Sequence, residues 1–336
     1  MPSFVAPFTI PISLVRGMVG GMLAKGLSPD IYLMKVGIAP QLLAQDHARV
    51  TSDQYIALMR VLISGLKDES LALHSRALKP GSLELLASSA LHEVNMAAAL
   101  ERVAHIYGLL QDDVVMQLDH QDQLAGLRLT LRTGAGVTSN FLHEFLVRVL
   151  WRLAAWLMGG ELKVLRFDFA FDTPAYVLDY GATFPAECRF GQGSSAFWFD
   201  AKRLKRPMTR DARALHKFLA TWPATAINPS RDGESVVEKV HAHLMMSRPH
   251  WASLASTASA LHMSAPTLQR HLAQASVTFQ NIKNGLRRDI AISRLGTSRV
   301  SFTELAADLG FADAAAFQRA FKEWTGSPPG VYRGTT

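Results

Sequence analysis

The sequence contains a single cysteine, Cys188, among 336 residues. One cysteine excludes an intrachain disulfide and a zinc site made of cysteines alone, and it is typical of proteins in a reducing compartment. No apolar run reaches the roughly 18 residues that a membrane-spanning helix needs, so we expect no contact with a membrane. The apolar segment 4–15 has no basic residue before it and no small-residue cleavage site after it. We therefore expect no signal peptide and a cytoplasmic location.

Sequence motifs of several enzyme classes are also missing. There is no Gly-x-Ser-x-Gly nucleophile elbow and no glycine-rich phosphate loop with a following lysine. His241, His243 and His250 lie near one another in the sequence, but no further ligands stand at a fixed spacing from them. This pattern favours solvated histidines over a metal site. We expect no enzymatic activity, no catalytic residues, no metal and no cofactor.

The composition indicates a folded chain of two domains. Apolar residues make up 49% of the sequence and charged residues 19%, which is enough to bury a core. The net charge of +7 is unevenly distributed, because residues 241–336 hold ten lysines and arginines against five acidic residues. A basic C-terminal quarter beside a nearly neutral remainder is typical of a nucleic-acid-binding module, although a basic solvated surface would look the same.

The periodicity of apolar residues predicts an α+β N-terminal domain, made of helices plus a small mixed or antiparallel sheet. Helical spacing predicts helices over 51–67, 83–91, 94–110 and 139–158. Alternation predicts strands over 113–118, 124–133, 163–171, 188–190 and 196–199. We place the N-terminal effector-binding domain at 1–220, a linker at 221–234 and an all-α domain at 235–336.

The all-α domain contains two copies of a helix-turn-helix pattern, at 251–274 and 302–324. In each copy, a short helix with small residues meets a tight turn, and a polar residue (Ser264 or Asp313) then caps a second helix. The second helices carry the same pair of polar side chains: Gln269 and Arg270 in the first copy, Gln318 and Arg319 in the second. Arginine can donate two hydrogen bonds to guanine, and glutamine can pair with adenine in the major groove.

A single helix is predicted between the two copies, over 278–296, from the apolar positions Ile282, Leu286, Ile290 and Leu295. Its length is roughly 28 Å at about 1.5 Å per residue. Recognition helices that enter successive major grooves lie about 34 Å apart. The linking helix therefore has about the reach that two groove-reading helices require.

A series of residues in the C-terminal region occurs in a recognisable order: Leu268, Gln269, Arg270, Leu272, Phe279, Arg287, Ala291, Leu295, Ala306, Leu309, Gly310, Phe311, Phe317, Arg319, Ala320, Phe321, Gly326, Pro328, Tyr332 and Arg333. Through it, residues 250–333 resemble the DNA-binding domain of the AraC/XylS family of bacterial transcription regulators. Residues 20–220 are more weakly similar to the N-terminal ligand-binding domain of one subgroup, through Phe167, Pro174, Phe190, Gly191, Leu204 and Pro207.

The resemblance implies a sequence-specific transcription regulator that binds promoter DNA and is controlled by a small-molecule effector. It also implies contact with RNA polymerase and a homodimer. Activation and repression use the same DNA-binding chemistry, so activator is only the family's usual role. The alternative is a ligand-independent DNA-binding protein whose N-terminal domain serves dimerisation only.

The side chains expected to contact DNA lie on the second helices and on the helix that links the two copies: Thr267, Gln269, Arg270, Thr278, Arg287, Ala315, Gln318, Arg319 and Lys322. Alanines 314–316 stand where the family often has a polar side chain, so we expect the second unit to contribute mainly phosphate contacts. The other interpretation of Arg270 and Arg319 is surface ion pairing with Asp313 and Glu323.

Ten aromatic residues lie within 167–199. They predict an ordinary core or, alternatively, an apolar effector cavity. The residues expected to line that cavity are Phe167, Phe169, Tyr176, Phe190 and Trp198, with Arg166 as the partner of an anionic head group. The predicted effector is a fatty acid or another hydrophobic compound, and the alternative is an amino-acid derivative.

Overall fold

The computed structural model describes residues 9–132, 140–160, 162–177, 180, 183–224, 236–274 and 277–333. These residues divide into two compact units. One, which we call the sheet unit, comprises the described residues within 13–32 and 56–229. The other, which we call the helical unit, comprises those within 1–12, 33–55 and 230–336.

The first half of the described chain contains β1 (Thr9–Pro11), α1 (Ile12–Ala24), α2 (Asp30–Lys35), β2 (Arg49–Thr51), α3 (Ser52–Leu66), α4 (Ser82–Ala90), α5 (Met96–Leu110), β3 (Val114–Gln121), β4 (Leu124–Leu131) and α6 (Asn140–Leu157). The second half contains β5 (Val164–Asp168), β6 (Glu187–Arg189), β7 (Ser195–Asp200), α7 (Ala212–Thr221), α8 (Val236–Met246), α9 (Leu254–Ala260), α10 (Ala265–Gln274), α11 (Phe279–Thr297), α12 (Phe302–Asp308) and α13 (Ala314–Thr325). Helices α3 to α6 lie where the sequence predicts them, with small shifts at their ends.

A five-stranded sheet organises the sheet unit, in the order β3-β4-β7-β5-β6. β5 and β6 run parallel and the other neighbours antiparallel, so the predicted α+β domain with a small mixed sheet is confirmed. Leu127, Phe197 and Phe167 pair across β4, β7 and β5 and therefore share one face of the sheet. Helix α6 packs on that face, where the Trp151 ring lies 5.3 Å from the Phe167 ring. The core of the unit lies between this helix and the sheet.

The helical unit combines α8 to α13 with a two-stranded ribbon. β1 and β2 pair antiparallel, with Thr9 opposite Thr51 and Pro11 opposite Arg49. The sequence predicts no strand in this part of the chain, because a strand of three residues is too short to display alternation. The helices of residues 236–333 agree with the predicted all-α domain, and the ribbon is added to them from the N-terminal part of the chain.

The domain boundaries stay a prediction. The sequence predicts one domain over 1–220, whereas described residues within 1–12 and 33–55 group with the C-terminal helices. Of the predicted linker 221–234, only 221–224 lie within the described residues.

Two kinds of feature do not occur in the part of the chain that the structure describes. None of its helices combines the length and hydropathy needed to cross a membrane. No group of three or more histidine, cysteine, aspartate or glutamate side chains is arranged there to hold a metal ion.

Candidate nucleic-acid interface and ligand site

Helices α9 and α10 form the first helix-turn-helix unit. Ser253 begins it with a capping box, in which its hydroxyl accepts from the Ser256 N–H (3.1 Å) and the Ser256 hydroxyl accepts from the Ser253 N–H (2.9 Å). In the turn, the Met263 N–H donates to the Ala258 carbonyl (2.9 Å). His262 occupies the left-handed region with φ of 56°. This conformation ends α9 and lets α10 leave in a new direction.

The second unit, formed by α12 and α13, repeats these features. Ser301 and Glu304 make its capping box, with 3.1 Å and 2.9 Å between the side-chain oxygens and the backbone nitrogens. The Phe311 N–H donates to the Ala306 carbonyl at 2.9 Å. Gly310 occupies the left-handed position with φ of 70°. Both turns therefore close through the same hydrogen bond, with a glycine in the second where the first has a histidine.

The helix α11 joins the two units without interruption. Thr278 caps it, because its hydroxyl accepts from the Asn281 N–H at 3.1 Å. Leu286, Ile290 and Leu295 are buried along one side. Its 19 residues give a length of about 28 Å at about 1.5 Å per residue. The length of α11 agrees with the length predicted from the sequence for the helix over 278–296.

Arg287 connects α11 to the second turn. Its guanidinium carbon lies 5.1 Å from the centre of the Trp251 ring and 5.0 Å from that of Phe311, and its Nη2 donates to the Gly310 carbonyl at 3.4 Å. Burial lowers the pKa of Arg287. A Cβ on Gly310 would lie 2.8 Å from Trp251 Cδ1, so this close approach requires glycine. The position of Arg287 favours a packing role over the DNA contact expected from the sequence.

The second helices bury one residue and expose the next two. Leu268 and Phe317 are completely buried. The polar pair that follows each of them is exposed: Gln269, Arg270, Gln318 and Arg319. Within the described residues, Arg270 and Arg319 have no hydrogen bond or ion pair, so the surface ion pairing considered for them does not occur there. Asp313, one of the acids considered, caps α13 through its carboxylate. Both guanidinium groups are available to a ligand.

The remaining predicted DNA contacts lie near these pairs in the sequence. Thr267 is half-buried, and its hydroxyl lies 2.8 Å from that of Ser264, which precedes α10. Ala315 is exposed in the first turn of α13 and Lys322 is exposed in its last turn. Helix α13 therefore has exposed predicted contact residues in both its first and its last turn.

Two other arginines of the basic region share one acidic partner within the helical unit. Asp308 accepts from Arg248 Nη2 at 2.6 Å and from Arg294 Nη1 at 2.8 Å. The uncompensated positive charge therefore includes Arg270 and Arg319, as an interface for phosphates and base edges requires.

The side chains predicted to bind an effector divide between the two faces of the sheet. Phe167 is fully buried on the face that α6 covers, and its ring lies 6.5 Å from that of Phe169. Trp198 pairs with Arg166 on the opposite face, where Trp198 Nε1 donates to Asp168 at 2.6 Å and Arg166 Nε lies 3.0 Å from the same carboxylate. Neighbouring residues of a strand point to opposite faces, so Arg166 and Phe167 cannot line one cavity. This corrects the expectation that Arg166 holds an anionic head group there.

The other predicted residues do come together. The aromatic rings of the sheet unit form one cluster with neighbouring centroids 5.0–6.5 Å apart: Phe167, Phe169, Phe171, Tyr176, Tyr180, Phe184 and Phe190. An acidic side chain that the sequence analysis missed adjoins this cluster. Glu144, on α6, accepts hydrogen bonds from the Tyr176 hydroxyl at 2.9 Å and from the Tyr180 hydroxyl. Burial raises the pKa of Glu144.

A cavity of about 200 Å³ lies elsewhere in the sheet unit. Its lining comprises Met96, Leu157, Met158, Arg206, Pro207, Met208 and Thr209. None of the predicted effector residues is among them, and the volume is below the roughly 300 Å³ at which small-molecule sites usually begin.

His143, next to Glu144 on α6, is held neutral by its surroundings. The Ser195 hydroxyl accepts from the Ala170 N–H (3.0 Å) and lies 2.9 Å from His143 Nδ1. The side chain is buried, and this burial lowers the pKa of His143 to about 4. The charged form is thus disfavoured in the folded state relative to the unfolded chain, in which the pKa of histidine is about 6.5.

We expect acidification to destabilise the sheet unit through His143. The unfolded chain binds the extra proton between about pH 6.5 and 4, so the contribution is complete above pH 6.5 and is lost as the pH falls to 4. From pH 7 to pH 5 the loss should be about 2 kcal/mol, at about 1.36 kcal/mol per pH unit. Burial lowers the pKa of His74 as well, so the test compares urea unfolding of the wild type with His143→Gln. An equally steep pH dependence in both proteins would contradict the assignment.

Comparison with known proteins identifies both parts of the chain. The family model described as the arabinose-binding domain of AraC transcription regulators, N-terminal, matches residues 26–208, and a helix-turn-helix domain model matches residues 257–335. The chain is 25% identical over 327 residues to the ornithine utilization regulator of Pseudomonas aeruginosa, covering 96% of each protein. It is 26% identical over 200 residues to the HTH-type transcriptional regulator VqsM of the same organism, covering 57% of this chain and 60% of that one. The crystal structure of the transcriptional regulator CdpR from Pseudomonas aeruginosa covers 95% of this chain and 97% of its own, with 18% identity and a TM-score of 0.35.

Proposed function

Because the chain belongs to the AraC-type transcription regulators with an arabinose-binding N-terminal domain, we propose that a small molecule bound in the sheet unit controls its binding to promoter DNA. Helices α10 and α13 enter successive major grooves. The protein acts in the cytoplasm as a homodimer that contacts RNA polymerase. An effector can change DNA occupancy only if it binds one conformational state more tightly than another.

The observation that carries the proposal is the repetition of one exposed, unpartnered pair of side chains. Gln269 with Arg270 and Gln318 with Arg319 follow a buried residue on their helices. A continuous helix of 19 residues joins the two units. Arginine and glutamine are the side chains that read guanine and adenine most directly. A DNA site for this protein should contain two elements with centres about 10 base pairs apart.

The effector is assigned to the class of amino acids and their derivatives. The relative that matches over 96% of this chain is an ornithine utilization regulator. A fatty acid would need a cationic partner beside the aromatic cluster. The cationic side chain predicted for that role, Arg166, lies on the other face of the sheet and is paired with Asp168 (3.0 Å). The buried acid at the cluster, Glu144, favours the ammonium group that an amino acid carries and a fatty acid lacks.

Arg270→Ala should weaken binding to the best DNA site by about 1–3 kcal/mol, or roughly 5- to 150-fold in Kd, and relax discrimination at one base pair. The reason is the loss of two hydrogen bonds to one base. Arg319→Ala should weaken binding to all sequences more evenly, since the alanines around Ala315 leave the second unit with mainly phosphate contacts. The measurement is a mobility-shift titration on a promoter found by genome-wide occupancy, with each base pair of the site varied.

Arg213→Ala is the matched control, because it removes the same charge from an exposed position on α7. It should leave the Kd unchanged at physiological salt. An equal loss for Arg270→Ala on every sequence would make Arg270 a phosphate contact. No affinity of the wild type for any duplex at low salt would remove the proposed function itself.

A further inference from the structure

Glu144 has one carboxylate oxygen that is satisfied and one that is not. Oε1 accepts both tyrosine hydroxyls, from Tyr176 (2.9 Å) and Tyr180. Oε2 is buried and has no hydrogen-bond partner among the described residues. The whole residue is only 3% exposed. A buried polar atom without a partner costs free energy, and such atoms are rare in folded proteins unless a ligand or water completes them.

The electrostatics around this oxygen favour a positive group. Arg148, one turn further along α6, is the basic residue whose charge acts on Glu144, yet the cost of burial outweighs its attraction and that of the two hydroxyls and raises the pKa of Glu144. His143 is buried and neutral beside it, and its pKa is lowered by burial. The rings of Tyr176 and Tyr180, 6.1 Å apart, direct their hydroxyls to Oε1 and so leave Oε2 without a donor.

We infer that Glu144 Oε2, beside the hydroxyls of Tyr176 and Tyr180, binds the ammonium group of an amine effector. An ammonium group brings three N–H donors and a positive charge, which satisfy the free oxygen and stabilise the ionised carboxylate. A carboxylate or phosphate ligand would add a second negative charge, and a hydrocarbon would leave the oxygen without a partner. The inference rests on the proposed function, because it names the chemistry by which that effector is recognised.

The test uses the full-length protein and sets of small probes matched in size. Three probes carry an alkyl ammonium group: L-ornithine, 1,4-diaminobutane and n-butylamine. L-Norvaline keeps the α-ammonium group but lacks the side-chain amine of ornithine. Butyrate and hexanoate carry only a carboxylate. Binding is followed by thermal shift and by isothermal titration. We expect at least one probe with an alkyl ammonium group to raise the Tm of the wild type, and neither fatty acid to do so.

Glu144→Gln keeps the shape of the side chain and an oxygen for the two tyrosine hydroxyls but removes the charge. It should fold and weaken binding of the active amine by about 10- to 100-fold, since hydrogen bonds to charged groups are the strong ones. Tyr176→Phe keeps the ring and should lose less. Glu101→Gln, an exposed position on α5, should bind like the wild type. These variants separate the removal of a ligand contact from a general loss of stability, which circular dichroism monitors.

Three outcomes would overturn the inference: no amine raises the Tm, an amine binds Glu144→Gln as tightly as the wild type, or a fatty acid stabilises both proteins. The proposed function is judged separately, by whether any compound changes DNA occupancy. A fatty acid that alters occupancy in the wild type and in Glu144→Gln alike would leave the proposed function standing and remove the amine site. Amine binding without any affinity for DNA would support the amine site and remove the proposed function.

Discussion

Phe317→Ala is expected to destabilise the helical unit by about 3–5 kcal/mol, the usual cost of emptying a buried phenylalanine site. Phe317 is completely buried on α13. Its ring packs against those of Phe302 (6.4 Å), Phe311 (5.9 Å) and Phe321 (5.6 Å), which come from α12, from the turn and from α13 itself. Its removal therefore separates the elements that define the second helix-turn-helix unit, and the cavity cannot close without moving one of the helices.

Gln318→Ala is the matched control, because it changes the next residue of the same helix at an exposed position. The free energy of unfolding is measured by chemical denaturation, and the two variants are then compared in DNA binding. Phe317→Ala should lose stability and DNA binding together, whereas Gln318→Ala should keep its stability. A stability change below about 1 kcal/mol for Phe317→Ala would mean that the second unit does not depend on this core.

The elements that sequence reasoning predicts well are those with a long or repeated pattern. α6 and α11 span 18 and 19 residues, enough turns for an apolar stripe to be unmistakable. The two helix-turn-helix units support each other, because caps and a tight turn recur in both. β1 and β2 could not be predicted, because each has three residues and they lie far apart in the sequence. The first helix-turn-helix copy is predicted to begin at residue 251, but its first helix, α9, begins at Leu254, and Trp251 lies before it with φ of 49°.

Some residues of the candidate sites can likewise be predicted from the sequence, and others cannot. Exposure of Gln269 and Arg270 follows from their position after a buried leucine on an amphipathic helix, so the sequence suffices. The role of Arg287 does not follow, because a basic residue on a helix can face DNA or aromatic rings with the same periodicity. Arg166 could have been separated from Phe167 by the alternation of the strand alone. Glu144 also had a signal, since it lies between Phe141 and Val147 on the buried stripe of α6, where a solvated acid does not belong.

The second large effect is expected for Arg49→Ala, at about 3–5 kcal/mol. Arg49 is only 8% exposed, and its guanidinium donates to the hydroxyl of Thr9 (2.8 Å) and to the carbonyl of Thr9 (2.9 Å). The Thr9 hydroxyl in turn donates to Asp289 on α11 (2.6 Å), and the Arg49 N–H donates to the Tyr332 hydroxyl (3.2 Å). Two lost hydrogen bonds to a buried charged group account for the size of the effect, at about 1.5–3 kcal/mol each.

The hydrogen bonds of Arg49 matter because of the elements of the helical unit that they connect. This network connects the β1–β2 ribbon to the helix that joins the two helix-turn-helix units, and β1 and β2 are followed directly by α1 and α3. Arg49→Lys keeps the charge but cannot make both bonds to Thr9, so it should lose about half as much. Lys35→Ala, an exposed basic position, should change little. Hydrogen exchange at Ile10 and Val50 should accelerate in Arg49→Ala more than at Leu268 or Phe317, because the ribbon is released while the helix-turn-helix cores remain. Uniform acceleration throughout the helical unit would show instead that the ribbon is part of one cooperative core, since its loss would then unfold both helix-turn-helix units.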